Sequence, residues 1–426
     1  MSKYTQQLQP GMAAVGDSFI WTGDGASTVV GGLGPSLGRL GPVPAMSVDL
    51  VRVAVGVYAA DRTSPRSGGG SDWNQRELEL EVPVSDPDRW RPVAASLEST
   101  LAFLSGDKWT LTFTAPVAVP TEDVKLAGPI ADRVVLLSGG ADSAVGGLLS
   151  KMSLGAGGSH VLVSHFSANH FAKIQADIAA RIVSLAPLGD QTHEVVHLAR
   201  RSKRPDGTDY PGEPTSRSRS FLFLSLGMAL AAQFGVDLWI PENGFASINP
   251  PLGPGRRGSL STRTTHPRFI QDFNGILRAL EVPGRVINPF AGMTKGEMFR
   301  SVADQFGNEA TTEYLSATNS CAMTGQRSFH VPLRIQCGVC FGCVVRRAAF
   351  TAAGLEDRTE YANRSLSDRL ARWLDATSVL PAVHDFVARG VRMSDLIALS
   401  LPDDLLLKDA ADLVARGSAE LGKYAN

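Results

Sequence analysis

Two groups of residues in this chain are spaced for chemistry. The first is Ser138-Gly139-Gly140-Ala141-Asp142-Ser143, which follows the apolar run Val134 to Leu137. A β-branched strand that breaks into small residues and an acid delivers a tight turn to a helix N-terminus, where backbone N–H groups bind phosphate. Gly139 and Gly140 let the backbone come close to the anion, Ser138 and Ser143 can donate hydroxyl hydrogen bonds, and Asp142 can bind an accompanying Mg2+. A Walker loop would close on Gly-Lys-Ser/Thr, but no lysine follows these glycines. A bond other than the one to the terminal phosphate is therefore expected to break. The competing reading is an ordinary strand-to-helix turn.

The second group is the set of four cysteines, Cys321, Cys337, Cys340 and Cys343, which fall close together instead of being spread along the chain. Two Cys-x-x-Cys steps and one upstream cysteine supply four thiolates for a closed tetrahedral Zn2+ site, with Gly338 and Gly342 easing the turns between ligands. An iron–sulfur cluster is the main competitor, but its sequence run continues to a Cys-Pro that is missing after Cys343. Disulfides are not expected, because Met1 to Gln7 carries no apolar signal core and a cytoplasmic location keeps thiols reduced.

The elements that must position these groups follow from the pattern. From Arg133 strands and helices alternate: strand Val134 to Leu137, helix from Ser143, strand Val161 to His165, helix Phe171 to Ser184, strand Glu194 to Leu198. That order predicts an α/β fold with a doubly wound parallel sheet, whose ligands sit at the carboxyl ends of the strands. A buried helix is expected over Phe221 to Gln233, and a strand over Asp237 to Ile240 leads into Glu242-Asn243-Gly244. Before this region, residues up to about 47 are rich in glycine and no regular structure is expected there. Strand-like runs at Asp49 to Ala60 and Arg76 to Val84, joined by a Gly68-Gly69-Gly70 turn, read as a hairpin. With a helix from about Arg91 to Leu104 and a strand at Trp109 to Thr114, they give a β-β-α-β unit. Beyond Phe350 the apolar spacing is helical, through Leu370, Trp373, Leu374, Val387, Leu396 and Leu405. Three units result: an N-terminal α+β domain over 1–125, the α/β domain with its cysteine segment over 126–350, and a C-terminal helical extension over 351–426.

Hydrophobic residues make up 43% and charged residues 19% of the 426, with a formal net charge of −1. This excludes a disordered protein and argues against a main role in binding the nucleic-acid backbone. The longest apolar stretch is too short for a membrane span, so no membrane partner is expected.

With both groups in hand, Ser138 to Ser143 resembles the pyrophosphate (PP) loop of ATP pyrophosphatases, enzymes that adenylate an oxygen acceptor and release pyrophosphate. Residues from about 133 to 350 resemble the QueC family, the 7-cyano-7-deazaguanine synthases of that superfamily. The family's loop stands as Ser138 to Ser143, its histidine after the second strand as His170, and its arginine before an apolar helix as Arg219. Its Thr-Lys-x-Glu stands as Thr294-Lys295-Gly296-Glu297, and its cysteine set as Ser320-Cys321 and Cys337 to Cys343, followed by Arg346. The chain departs from the family at Phe166-Ser167-Ala168-Asn169, where Tyr-Gly-Gln-Arg is usual. It departs again at Gly258 to Phe269, where the deazaguanine-binding stretch usually reads Gly-Tyr-Pro-Asp-Cys-Arg-Pro-Glu-Phe.

The resemblance implies an adenine nucleotide alpha hydrolase-like (HUP-like) fold and an ATP-dependent ligase that adenylates a 7-deazaguanine carboxylate. It implies ATP, Mg2+ and Zn2+ as cofactors, with the nucleotide on Ser138, Gly139, Gly140, Ala141, Asp142, Ser143 and His170. Asp142, Lys295 and Arg219 take the catalytic roles, and Asn243, Arg263, Thr264 and His266 are assigned to the deazaguanine. The added N- and C-terminal units resemble the extended QatC-type proteins of anti-phage defence systems, among which activated deazaguanine can be joined to an amine on a partner protein. Amide or protein-conjugate formation is therefore the first reading, with a protein acceptor, and a homodimer is left open. An ordinary nitrile-forming synthase using ammonia is the second. A zinc-dependent nucleic-acid-binding protein, using Arg200 to Arg219 as a basic strip, is the third; Asp206, Asp209 and Glu213 dilute that strip.

Overall fold

Short apolar runs separated by crossover helices assemble into a parallel sheet in the computed structural model of the chain. The structure describes the chain except for residues 10–16, 23–26, 67–74, 117, 119–121, 126–129, 167–168, 214–216, 251–262, 325–330, 334, 366–371, 373–375, 377 and 426. The Gly68-Gly69-Gly70 turn, Gly258 to Thr262, and Leu370, Trp373 and Leu374 lie outside the described residues.

The strands in chain order are β1 Ser2–Gln7, β2 Asp17–Ile20, β3 Val29–Gly31, β4 Glu77–Pro83, β5 Lys108–Thr114, β6 Arg133–Leu136, β7 Ser159–His165, β8 Asp190–Val196, β9 Leu198–Arg200, β10 Leu238–Trp239 and β11 Val286–Ile287. The helices through the cysteine segment are α1 Ala45–Thr63, α2 Pro87–Trp90, α3 Ala94–Ser105, α4 Ala141–Leu154, α5 Asn169–Leu185, α6 Arg219–Phe234, α7 Gly244–Ile248, α8 Pro267–Ala279, α9 Lys295–Phe306, α10 Asn308–Ser316 and α11 Phe341–Ala353.

A five-stranded sheet has the order β11-β10-β6-β7-β8, and all its pairings are parallel. From β6 the chain winds outward through β7 to β8, then returns to the other side of β6 for β10 and β11. The reversal lies between β6 and β10, so the segments leaving those strands diverge around a crevice. The segment after β6 carries Ser138 to Ser143, and the one after β10 carries Glu242 and Asn243.

The N-terminal region differs from its sequence expectation in three ways. Residues before 47 contain β1, β2 and β3. Residues 49–60 lie in α1, not in a strand, and β1, β2, β4 and β5 form an all-parallel sheet of order β2-β1-β4-β5 with no hairpin. The cause is visible in α1: every residue from Ser47 to Val57 is buried, so polar and apolar sides do not alternate. Without a 3.6-residue period, the valines at 48, 51, 53, 55 and 57 imitate a buried strand, and only the 19-residue length favours the helix. The stretch predicted as β-β-α-β is accordingly helix α1, strand β4, helix α3 and strand β5, with β1 inserted beside β4.

The largest core is continuous across residue 125, running from Tyr4 through Leu50, Leu80 and Leu101 to Val134, Leu224 and Val286. A buried ionic cluster lies beside it: Arg76 bonds both Asp61 and Asp107, and Arg66 makes a bidentate pair with Asp107. Asp61 Oδ2 also accepts from the backbone N–H of Arg217 and Ser218 and from the Ser218 hydroxyl. The N-terminal region thereby fixes the entry to α6. At the other end, helices Leu380–Arg389, Met393–Ile397 and Leu407–Ala425 form a core with Phe245, Ile248, Val344 and Val345.

Candidate functional site

The Ser138–Ser143 loop folds on itself before it can meet a ligand. The Ser138 N–H donates to Ser143 Oγ at 3.1 Å, the two hydroxyls lie 3.0 Å apart, and the Gly140 N–H donates to Ser138 Oγ at 3.2 Å. Gly139 has φ +86°, a left-handed turn that favours glycine. The turn places Gly140 as the N-cap of α4 with no side-chain cap. The first N–H groups of the helix have no partner within it, and they face the crevice together with the positive end of the helix dipole. A turn of this kind can bind an anion, and the Ala141 N–H also reaches Ser320 Oγ at 3.5 Å. The segment before Cys321 covers it, with the Asn319 N–H donating to Gly139 O at 2.9 Å.

Asp142, on the first turn of α4, gathers the polar chemistry. Lys295 Nζ, at the start of α9, donates to Asp142 Oδ2 at 2.7 Å, and Asn243 Nδ2 lies 3.3 Å from the same oxygen. Asn243 Nδ2 also reaches Glu242 Oε1 at 3.0 Å, while its side-chain oxygen caps α7 through the Ala246 N–H. Asp142 Oδ1 is buried without a hydrogen-bond partner among the described residues. Burial, followed by the charge of Asp142, pushes the Glu242 carboxyl well above the usual carboxylate range. A charged carboxylate next to it opposes ionisation of the Glu242 carboxyl. An orphaned buried carboxylate oxygen beside a second carboxyl is the donor set of a hard divalent cation, and Mg2+ fits it. Glu242 was not singled out in the sequence as a site residue. Its place next to Asn243 at the exit of β10 was the available signal.

Two connected chambers open from this point. A polar one of about 360 Å³ is lined by Gly140, Asp142, Asn243, Lys295 and Ser320 among others. A larger one of about 680 Å³ extends over Val163, His165, Phe166, Phe223 and Leu226. Ser138, Ser143, Glu242 and Thr264 border both. Arg219 lies on the larger chamber with its guanidinium 4.8 Å from the Phe223 ring, and it makes no ion pair among the described residues. Cations are disfavoured at a helix N-terminus, where Arg219 stands, so an anionic ligand is a natural partner. Burial lowers the His165 imidazole to about 4, so it is neutral near pH 7; Nε2 bonds Leu198 O at 2.9 Å and Nδ1 has no partner among the described residues.

The remaining expected residues separate. Thr264 reaches both chambers. Arg263 turns away, donating to Phe103 O at 2.8 Å and lying over the Phe103 ring. His266 is 2% exposed and caps α8 through the Arg268 N–H. Neither Arg263 nor His266 lines the chambers. His170 is in the first turn of α5, and its side chain lies outside the described residues.

The four cysteine Sγ atoms all lie within 4.8 Å of one another and are buried. Backbone N–H groups point at them: Met323 and Cys337 toward Cys321 Sγ, Val339 and Cys340 toward Cys337 Sγ. Gly338, at φ +84°, makes the turn that permits this. Such donors stabilise thiolates, and four thiolates in reach of one centre fit Zn2+ with no open position. Because Cys321 directly follows the segment over the Ser138 loop, a metal here would fix that cover.

No family model matches the chain. Curated relatives are found among the 7-cyano-7-deazaguanine synthases. That of Novosphingobium aromaticivorans is 30% identical over 266 residues, spanning 58% of this chain and 98% of the relative. That of Cupriavidus taiwanensis is 28% identical over 249 residues, covering 54% and 96%. That of Methanothrix thermoacetophila is 25% identical over 248 residues, covering 54% and 97%.

Proposed function

Because the chain belongs to the 7-cyano-7-deazaguanine synthase family, we propose that it is an ATP-dependent ligase that adenylates the carboxylate of a 7-deazaguanine. The β- and γ-phosphates lie on Ser138 to Ser143 at the start of α4, and a carboxylate oxygen attacks the α-phosphorus, breaking its bond to the bridging oxygen and releasing pyrophosphate. An amine nitrogen then attacks the acyl carbon, AMP leaves, and the amine loses a proton. The observation that carries this reading is the meeting of three strangers in sequence, Asp142, Glu242 and Lys295, at the uncapped helix N-terminus. Lys295 and Arg219 offset phosphate charge, while Asp142 and Glu242 are the residues that would hold Mg2+. When bound, that ion neutralises charge on the phosphates. The larger apolar chamber suits a planar base.

The finer reading is conjugation: the amine belongs to a protein, as in QatC-type proteins of anti-phage defence systems. It is supported by length, since nearly the whole of each relative is matched by little more than half of this chain. The same coverage supports the second reading, in which the intact synthase core makes the free nitrile from ammonia. Incubation with ATP, Mg2+ and 7-carboxy-7-deazaguanine, with and without co-purifying proteins, separates them by intact mass. A protein adduct supports conjugation; free nitrile as the sole product supports the second reading; no consumption of the carboxylate refutes both.

A further inference from the structure

The helix Leu407–Ala425 lies beyond the stretch that resembles the family, yet it reaches the residues that bracket Lys295. Glu420 accepts from the hydroxyl of Thr294, the residue before Lys295, and from the N–H of Gly296, the residue after it, at 3.1 Å. Thr294 is the N-cap of α9 and forms a capping box with Glu297. One turn earlier in the C-terminal helix, Arg416 pairs with that same Glu297 and donates to Gly292 O at 2.9 Å. A side chain at 296 would push the Glu420 carboxylate aside, since a Cβ there would meet Glu420 Oε1. The helix also seats Gly417 against the Phe245 ring of α7, the helix capped by Asn243, and packs on α11, which follows Cys340. One helix thus supports all three elements that bring Asn243, Lys295 and the cysteine segment to the polar chamber.

We propose that this C-terminal helix is a positioning element of the active site, with Glu420 as the positioning residue that sets the start of α9 and so aims Lys295 at Asp142. A carboxylate is suited to the task, because it satisfies an orphan N–H and complements the positive end of the α9 dipole. It touches neither chamber and acts only through Lys295. Losing it lets the first turn of α9 relax, and a displacement of about 1 Å at a reacting group can cost on the order of 100-fold in rate. The proposal rests on the assignment of Lys295 to the ATP site.

The test uses the full chain with Glu420→Ala, Glu420→Gln, Arg416→Ala and, as a control on the exposed face of the same helix, Lys408→Ala. Two readouts are taken: pyrophosphate release with ATP, Mg2+ and 7-carboxy-7-deazaguanine, and the rate at which an acetylating ester modifies Lys295, followed by peptide mass. For Glu420→Ala the expected result is a kcat lower by about 10- to 100-fold with little change in KM for ATP, together with faster acetylation of Lys295. Glu420→Gln, which keeps a hydrogen-bonding side chain, recovers most of both, and Lys408→Ala matches the parent chain. Arg416→Ala shifts both readouts in the direction of Glu420→Ala and serves alone if the latter does not fold. Parent-like kcat and parent-like Lys295 acetylation in both Glu420→Ala and Arg416→Ala would overturn the proposal, as would an equal loss in Lys408→Ala. If the parent chain itself releases no pyrophosphate, the proposed function fails, while the acetylation rates still decide whether Glu420 positions Lys295.

Discussion

Asp142 sits where three requirements meet: it is near the helix N-terminus, it is paired with Lys295, and one of its oxygens is buried and unused. Replacing it with Asn preserves shape and removes charge. Asp142→Asn is expected to lower ATP-dependent turnover by at least about 100-fold with the circular dichroism spectrum of the parent retained, because the lost charge acts on the transferring phosphates, and to lower Tm because Lys295 loses its buried partner. Glu242 gives a pH signature. Its raised pKa favours the protonated form in the metal-free protein, so Mg2+ competes there with a proton. Mg2+ affinity is therefore expected to strengthen as pH rises, until Glu242 ionises without metal. Calorimetry in buffers of different ionisation enthalpy should show a released proton that Glu242→Gln abolishes; pH-independent binding would count against the pair as the metal site. The loop was legible in the sequence because six consecutive residues carry its chemistry. Glu242 was not, since it becomes a partner of Asp142 only when β10 is laid beside β6. Arg263 and His266 show the converse: polar side chains next to Thr264 in sequence face Phe103 and a helix end, not the crevice.

At the scale of elements, the cysteine segment and α1 each hold part of the site from outside the central sheet. Cys337→Ser is expected to lower Tm and, because Asn319 and Ser320 cover the Ser138 loop, also to weaken ATP binding. Metal analysis should find one zinc per chain in the parent. Iron in its place, or unchanged Tm and ATP affinity in the variant, would contradict that reading. Asp61, fully buried in α1, links Arg76 to the N–H groups that precede Arg219. Asp61→Asn leaves Arg76 underpaired in a dry environment, and a loss of about 3–5 kcal/mol is expected in denaturant unfolding. A loss below about 1 kcal/mol would show that the cluster is not coupled to stability. The α/β alternation after Arg133 was readable because α5 has polar and apolar sides and the strands are bounded by turn residues, while the wholly apolar run of α6 is too long for a strand. α1 was not, because burial on all sides erases the period that distinguishes helix from strand.

At the scale of the molecule, the central parallel sheet is packed between N-terminal and C-terminal regions. The largest core runs from Tyr4 to Val286, and the C-terminal core joins Phe245 to the C-terminal helix. A fragment of residues 126–350 is therefore expected to lose a cooperative thermal transition, since cutting at either end exposes buried apolar faces; a fragment with parent-like Tm would show that the flanking regions are additions only. No helix among the described residues is long and apolar enough to cross a membrane. The chemistry at the centre is tested most directly by isotope. If 7-carboxy-7-deazaguanine labelled with 18O in its carboxylate is turned over with ATP, attack at the α-phosphorus transfers one labelled oxygen to AMP, and mass spectrometry should find it there alongside unlabelled pyrophosphate. Label in inorganic phosphate with ADP as co-product, or AMP without label, would contradict adenylation of the carboxylate.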